Sequence, residues 1–214
     1  MNTSKPPPRT DSKPEDEDTS RRGRILDAAR DVFSEVGFGT ARVDEIARRA
    51  RVNKALIYYY FSSKEELYDA VVETSIEAGT PRWESVRTST FHDWLKALDE
   101  VTGGPQSKAW NRILAMEGLE DGGPRATVRE AERAAVWRES VQLLIRSQAG
   151  GEIDPDIDSE MLLLLFVTNA IGSRALPQFT RMITGLPADS DAFRARLERF
   201  HLMLADRLSP RTSE

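Results

Sequence analysis

The chain has 214 residues, of which 39% are hydrophobic and 30% charged, with no cysteine and a formal net charge of −5. That length can bury the core of one or two domains, while the lack of cysteine excludes disulfides and thiolate zinc sites. The longest uninterrupted apolar run, Met161 to Val167, is far short of a bilayer span, and the polar N-terminus has no signal-peptide core, so a cytoplasmic protein without membrane contact is expected.

The charge is unevenly spread. Between Arg21 and Lys64, ten Lys/Arg stand against five Asp/Glu, a balance of +5, whereas residues 1–20 carry −2 and residues 65–214 carry −8. A basic stretch inside an acidic chain is the electrostatic pattern expected where a protein meets a polyanion such as DNA.

Residues 1–20 are rich in Pro, Ser, Thr and mixed charge, and they read as a disordered tail. The acidic run Glu15 to Asp18 argues against a minor-groove arm. A first helix is expected from about Ser20 to Glu35, with Ile25, Ala29, Val32, Phe33 and Val36 on one stripe and Gly37 as its stop. Arg21, Arg22 and Arg24 at its start suit either phosphate contact or plain solvation. A second helix covers about Val43 to Arg51, where Val43, Ile46, Ala47 and Ala50 fall at i, i+3, i+4, i+7.

After a break at Arg51-Val52-Asn53, a third helix runs from Lys54 to Tyr60, and Ile57 and Phe61 resume the apolar pattern. On a wheel of about 100° per residue, Ala55 and Tyr59 point opposite those two anchors, with Leu56 and Tyr58 beside them. A short helix that buries two anchors and exposes aromatic and small residues fits a DNA groove. A fourth helix opens at Ser62-Ser63, where Ser63-x-x-Glu66 makes a capping box, and carries Leu67, Val71 and Ile76 towards Gly79-Thr80-Pro81. Its free N–H groups and Lys64 together favour a phosphate.

Farther on, helices are expected near Phe91–Val101, Lys108–Gly118 and Ala126–Gln148, punctuated by Gly103-Gly104-Pro105, Gly122-Gly123-Pro124 and Gly150-Gly151. Met161 to Leu176 is apolar almost all round, hence buried on more than one side. A last helix, Asp191 to Leu208, spaces Phe193, Leu197, Phe200, Leu204 and Leu208 along one stripe. Strand-like alternation of any length is missing, so the fold class is all-α. The helices divide into an N-terminal helix-turn-helix unit over 21–67, a larger C-terminal helical unit over 68–208 and a short tail 209–214. The last two helices have more apolar surface than one core needs, which fits a homodimer with a four-helix interface, the alternative being an entirely intramolecular core.

Arg24 to Leu67 resembles the DNA-binding domain of the tetracycline-repressor (TetR) family of bacterial transcription regulators. The residues that carry the resemblance are Phe33 with Gly37-Phe38, Val43-Asp44-Glu45-Ile46-Ala47, Val52-Asn53-Lys54, and Leu56-Ile57-Tyr58-Tyr59-Tyr60-Phe61 followed by Ser63-Lys64-Glu65-Glu66-Leu67. Aromatics running into S-K-E-E-L are a specific signal. About a fifth of the chain is covered, and the rest is similar to the family in length and helical texture only. The resemblance implies a fourth helix linking the reading head to a sensor domain, so that 68–208 is expected to be a ligand-binding and dimerisation domain. Two departures stand out: Arg51 occupies a turn where the family usually has glycine, and Ala55 a position usually small or glycine. Arginine enters the left-handed region less cheaply than glycine, at about 1 kcal/mol.

For DNA contact the candidates are Lys54, Tyr58, Tyr59 and Lys64, then Asn53, Ala55, Leu56, Tyr60 and Arg42. Lys54 suits guanine or a phosphate and Ala55 and Leu56 suit thymine methyls, while tyrosine hydroxyls suit phosphates. Candidates for an effector cavity are Trp94, Trp110, Met116, Trp137, Phe166, Asn169 and Phe179, the alternative for each being ordinary core packing. Asn169 stands out as polar within an apolar helix, where a buried amide needs partners. Asp154-Pro155-Asp156-Ile157-Asp158 opens like a calcium loop but continues with Ser159 and Leu165 where glycine and glutamate are needed, so helix capping at Asp158 explains it better. The two histidines, His92 and His201, have no ligand spacing, and no nucleophile elbow, P-loop or dinucleotide fingerprint occurs, so neither enzyme, metal nor cofactor is expected.

The reading is a homodimeric regulator that places two third helices in successive major grooves of a near-palindromic double-stranded operator. Release by a small, largely apolar effector would be a population shift. An activator of the same architecture, and a helical ligand- or partner-binding dimer without a working DNA head, are the alternatives to a repressor.

Overall fold

In the computed structural model, residues 14–87, 89–104, 107–119 and 128–210 are described. Among them the chain is all helix: α1 (Pro14–Thr40), α2 (Val43–Ala50), α3 (Lys54–Tyr60), α4 (Lys64–Val86), α5 (Phe91–Gly103), α6 (Ser107–Leu119), α7 (Glu130–Ala149), α8 (Ser159–Ala175), α9 (Pro177–Thr184) and α10 (Asp191–Arg207).

Most expected helices are present, with three differences. The tail expected to reach Ser20 is helical from Pro14, while residues 1–13 lie outside the described residues. Proline is tolerated at a first helical position because the N–H it lacks has no partner there, and the added turns gain a tertiary anchor at Asp18 described below. Second, α4 does not stop at Gly79-Thr80-Pro81 but runs through Pro81 to Val86. Trp83 packs on the second core and Val86 is buried within it, which holds the helix together past the hydrogen bond that proline removes. Third, α9 was not foreseen: Pro177 opens it at an angle of 94° to α8. Gly37, the expected stop of α1, has φ 72° and ψ 168°, and one further turn follows it to Thr40.

Two apolar cores organise these helices. The first gathers Ile25, Ala29, Val32 and Phe33 of α1 with Val43, Ile46, Ala47 and Ala50 of α2, Ile57 and Phe61 around α3, and Leu67, Val71 and Val72 of α4. The second joins Phe91, Trp94, Leu95 and Leu98 of α5 to Leu143 and Leu144 of α7, Leu162, Leu163 and Phe166 of α8 and Ala205 of α10. Helix α6 belongs to both halves: its Ile113 is buried in the first core, on which Trp110 also packs. Its Arg112 donates from Nε to the Ser34 carbonyl of α1 at 2.7 Å.

The second domain also holds a polar chain, buried at Asp99 and His201 and reaching the surface at Asn169. His201 Nδ1 lies 2.9 Å from Asp99 Oδ2, and Nε2 lies 2.9 Å from Asn169 Oδ1. Arg174, whose guanidinium is pushed below its ordinary value by burial against the opposing pull of Asp99, stands 4.0 Å from the same carboxylate. Both histidines therefore have carboxylate partners, since His92 Nε2 is 2.8 Å from Asp206. Pairs this distant in sequence leave no spacing to read.

The α2–α3 turn closes through Arg51 at φ 57°, ψ 46°, with Val52 N–H donating to the Ala47 carbonyl at 3.0 Å. This is a glycine-type closure with a side chain in it. The left-handed region costs a side-chain residue about 1–2 kcal/mol, and glycine gives back about 0.4–1 kcal/mol through the unfolded chain. Arg51→Gly is accordingly expected to stabilise the protein by about 0.5–1 kcal/mol in urea unfolding. A loss of stability would show that the turn is not strained.

Candidate nucleic-acid interface and effector cavity

Helix α3 is fixed at its start by Asn53, whose Oδ1 accepts the Leu56 N–H at 2.7 Å. Ile57 and Phe61 are 1% and 2% exposed, whereas Tyr59 is 77% and Tyr58 46% exposed. Ala55 and Lys54 also face solvent, and Arg42 does so at the start of α2. The wheel reading of this helix matches the coordinates. Leu56 and Tyr60 are half-buried and pack on the first core.

Several candidates already have intramolecular partners. Lys54 Nζ lies 3.0 Å from Asp44 Oδ1, and the hydrogen bond to Asp44 raises the affinity of the amine for its proton. Tyr60 Oη donates to Asp18 in the first helix, and that bond holds its phenol above the ordinary value. Lys64 sits over the Phe38 ring at 4.5 Å and near the Gly39 carbonyl at 3.4 Å. It opens α4 beside the N-cap Ser63, whose Oγ accepts from Glu66 N–H at 3.1 Å. Glu66 reaches back to the Ser62 N–H at 2.8 Å, one residue earlier than in a standard capping box, and hydrogen bonds from Ser62 lower its carboxyl. Asp158 caps α8, as expected, accepting from Glu160 and Met161 N–H.

A network of charge stiffens α2 behind this surface. Glu45 accepts from Arg48 at 2.6 Å and from Arg49 at 2.7 Å, and Arg49 also grips Glu35 of α1 at 2.7 Å. Hydrogen bonds from Arg48, then Arg49, hold the Glu45 carboxyl down at about 2. Glu35 is lowered by Arg49 in the same way.

A cavity of about 690 Å³ opens between α1, α4, α5, α6 and α7. Of the expected lining residues it brings together Trp94, Trp110 and Trp137. The other four lie elsewhere. Met116 is half-buried on α6 away from the wall. Phe166 fills the second core against Phe91 and His201. Asn169 is exposed on α8, where its Oδ1 meets His201 Nε2 of α10 at 2.9 Å. Phe179 is 53% exposed on α9, a helix that turns away after Pro177. Trp83 and Asn111 line the cavity as well, outside the expected set. Ending α4 at Pro81 had cut Trp83 off, and only tertiary packing distinguishes Asn111 from other polar residues. Among the described residues no group of three or more potential metal ligands occurs, and no single helix is long and apolar enough to cross a membrane.

Comparison with known proteins gives three kinds of match. Residues 25–71 match the family model of bacterial regulatory proteins, tetR family. The chain is 31% identical over 191 residues to the HTH-type transcriptional repressor SCO4008 of Streptomyces coelicolor, covering 87% of this chain and 95% of that one. It is 30% identical over 156 residues to the HTH-type transcriptional regulator UidR of Escherichia coli K12, covering 70% and 79%. In fold it is similar to the ketosteroid transcriptional regulator KstR2 of Mycobacterium tuberculosis, with a TM-score of 0.71, 20% identity, and coverage of 89% and 95%.

The Arg48–Glu45–Arg49 network predicts a pH dependence. A carboxyl held low in the folded state contributes stability above its unfolded value of about 4.3 and loses that contribution as pH falls towards the folded value. Thermal unfolding of the wild type is therefore expected to lose ground between about pH 4.5 and 2 faster than Glu45→Gln does. Parallel curves for the two proteins would contradict this.

Proposed function

This chain belongs to the tetR family of bacterial regulatory proteins and is a DNA-binding regulator of transcription, not an enzyme, and from that premise we propose that it is a cytoplasmic homodimeric repressor released from its operator by a small molecule. The observation that carries the DNA half of this reading is the orientation of α3, with Ile57 and Phe61 sunk in the core while Lys54, Ala55, Tyr58 and Tyr59 stay open to solvent. Two such helices, one from each protomer, would enter successive major grooves of a near-palindromic site. Lys54 and Ala55 would meet base edges, Lys54 exchanging Asp44 for the duplex. Leu56, half-packed on the core, would touch it at the margin. Tyr58, Tyr59, Lys64 and Arg42 would hold phosphates, with Asn53 and Tyr60 placing the helix through the cap and the bond to Asp18.

The dimer would form on α8 and α10. Met161, Leu164 and Leu165 on one helix, and Phe200 and Met203 on the other, are each 46–60% exposed. The two helices meet at Asn169 and His201. A second copy covering this face makes a four-helix contact and buries side chains that a monomer leaves in water.

Release would work through α6. Trp110, Asn111 and Leu114 line the cavity, while Ile113 sits in the head core and Arg112 grips α1. A ligand that prefers one setting of α6 would shift the separation of the two heads, by no more than its difference in affinity for the two settings.

Footprinting on the DNA flanking the protein's own gene is expected to reveal two half-sites about one helical turn apart. On that site Lys64→Ala should weaken binding and reduce the salt slope by about one. Unchanged affinity and slope would remove Lys64 from the interface. Sedimentation of Leu164→Glu should show a monomer where the wild type is a dimer. A monomeric wild type at micromolar concentration would overturn the dimer.

A further inference from the structure

All four tryptophans of the chain, Trp83, Trp94, Trp110 and Trp137, line the cavity. Trp83 lies 5.9 Å from Trp94 at 37° and 6.0 Å from Trp137 at 69°, centroid to centroid. Three of the four are only half-buried within the chain. Such a wall offers indole faces and edges in several orientations, on which a flat aromatic guest can stack and meet an edge at once. An alkyl chain would gain only contact area there.

The charges around the cavity narrow the class. Arg30, Arg87, Arg129 and Arg133 line it, and each already faces a carboxylate: Asp27 at 3.0 Å, Glu139 at 3.0 Å, Glu132, and Glu117 at 2.9 Å. Among the described residues an entering carboxylate or phosphate finds no uncommitted cation, and burying an unpaired charge is costly.

Among the described lining residues, one fully buried polar atom lacks a partner. Asn111 is 1% exposed and its Nδ2 donates to the Thr102 carbonyl at 2.8 Å. A carbonyl only accepts, so the amide orientation is fixed and Oδ1 is the atom left over. That Oδ1 is buried without a hydrogen-bond partner. The hydroxyls of Thr74, Ser75 and Thr80 on the same wall donate to carbonyls of their own helix, and Ser140 takes the Trp94 indole N–H. A buried acceptor without a partner is paired at a gain by any donor that reaches it.

We infer that the cavity takes a flat aromatic molecule that is not anionic and carries an O–H or N–H donor for Asn111 Oδ1, an inference that rests on the effector reading above. Calorimetry with four probes tests it: 2-naphthol, 2-methoxynaphthalene, 2-naphthoate and decanoate, each also added to the protein on its footprinted DNA. The expected result is saturable binding of 2-naphthol with quenching of tryptophan emission. The methyl ether should bind about tenfold more weakly, and the two anions more weakly still. Asn111→Leu should close the gap between naphthol and ether. Should that variant not fold, the order of the four probes on the wild type decides alone. Either anion binding as tightly as 2-naphthol, an ether equal to the naphthol, or no saturable binding of 2-naphthol would overturn the ligand class. Operator release by an anion would leave the effector reading standing while the class falls. Binding in the expected order without DNA release would do the reverse.

Discussion

Everything the reading head does depends on two side chains pressed into the first core. Ile57 and Phe61 are four residues apart, so they anchor one side of a helix only seven residues long. A helix this short has little stability of its own in water, and its rotation about its axis is set by what it buries. The Asn53 cap fixes where it begins, and Phe61, extended at its end, fixes where it stops. The outward side is then dictated geometrically, and it carries the tyrosines. Arg51 in its left-handed turn is tolerated because the same burial holds both flanking helices in place.

The second constraint is that one helix serves both the head core and the cavity. α6 puts Ile113 among head residues and Asn111 and Leu114 at the cavity, with Trp110 touching both. Arg112 adds polar contacts to carbonyls near the end of α1, at 2.7 Å to Ser34 and 3.4 Å to Glu35. Leu26, Asp27 and Arg30 of α1 reach the cavity wall themselves. In the proposed release, a head built this way would respond to what fills the space beside it, since close-packed interiors transmit strain. That is the physical basis on which occupancy and DNA spacing can be linked.

The sequence made the helices legible wherever an apolar stripe and a cap coincide, as in α3 and α4, and the exposed face of α3 followed from a wheel alone. Local rules failed where tertiary contacts override them. Pro81 reads as a stop, yet Trp83 and Val86 beyond it belong to the second core and keep the helix going. Residues 14–20 read as tail, but Asp18 meets Tyr60 across forty-two positions of chain. The cavity was half legible: tryptophans announce a large apolar site, but whether Phe166 fills the core or lines a space depends on which helices lie against α8. Asn169 was conspicuous for the right reason, a polar group in an apolar helix, although its face of α8 is solvent-exposed and its partner is a histidine thirty-two residues away.

That histidine shows why the second domain needs more than apolar stripes. Phe193, Leu197 and Ala205 bury one side of α10, and such a stripe alone tolerates a slide of one turn at modest cost. Asp99 and His201 do not. Both are nearly fully buried, 2.9 Å apart, and Arg174 lies close by. Displacing α10 by one turn would take the His201 hydrogen bond from the Asp99 carboxylate in a low-dielectric interior, where an unmade polar contact costs more than a displaced methyl. The pair therefore fixes the register of α10 against α5, and the bond from His201 to Asn169 extends the same constraint to α8. The exposed Leu165 and Phe200 are set in place by that chain of three side chains, so the alignment of the proposed dimer face is determined from within the core and not by the surface itself.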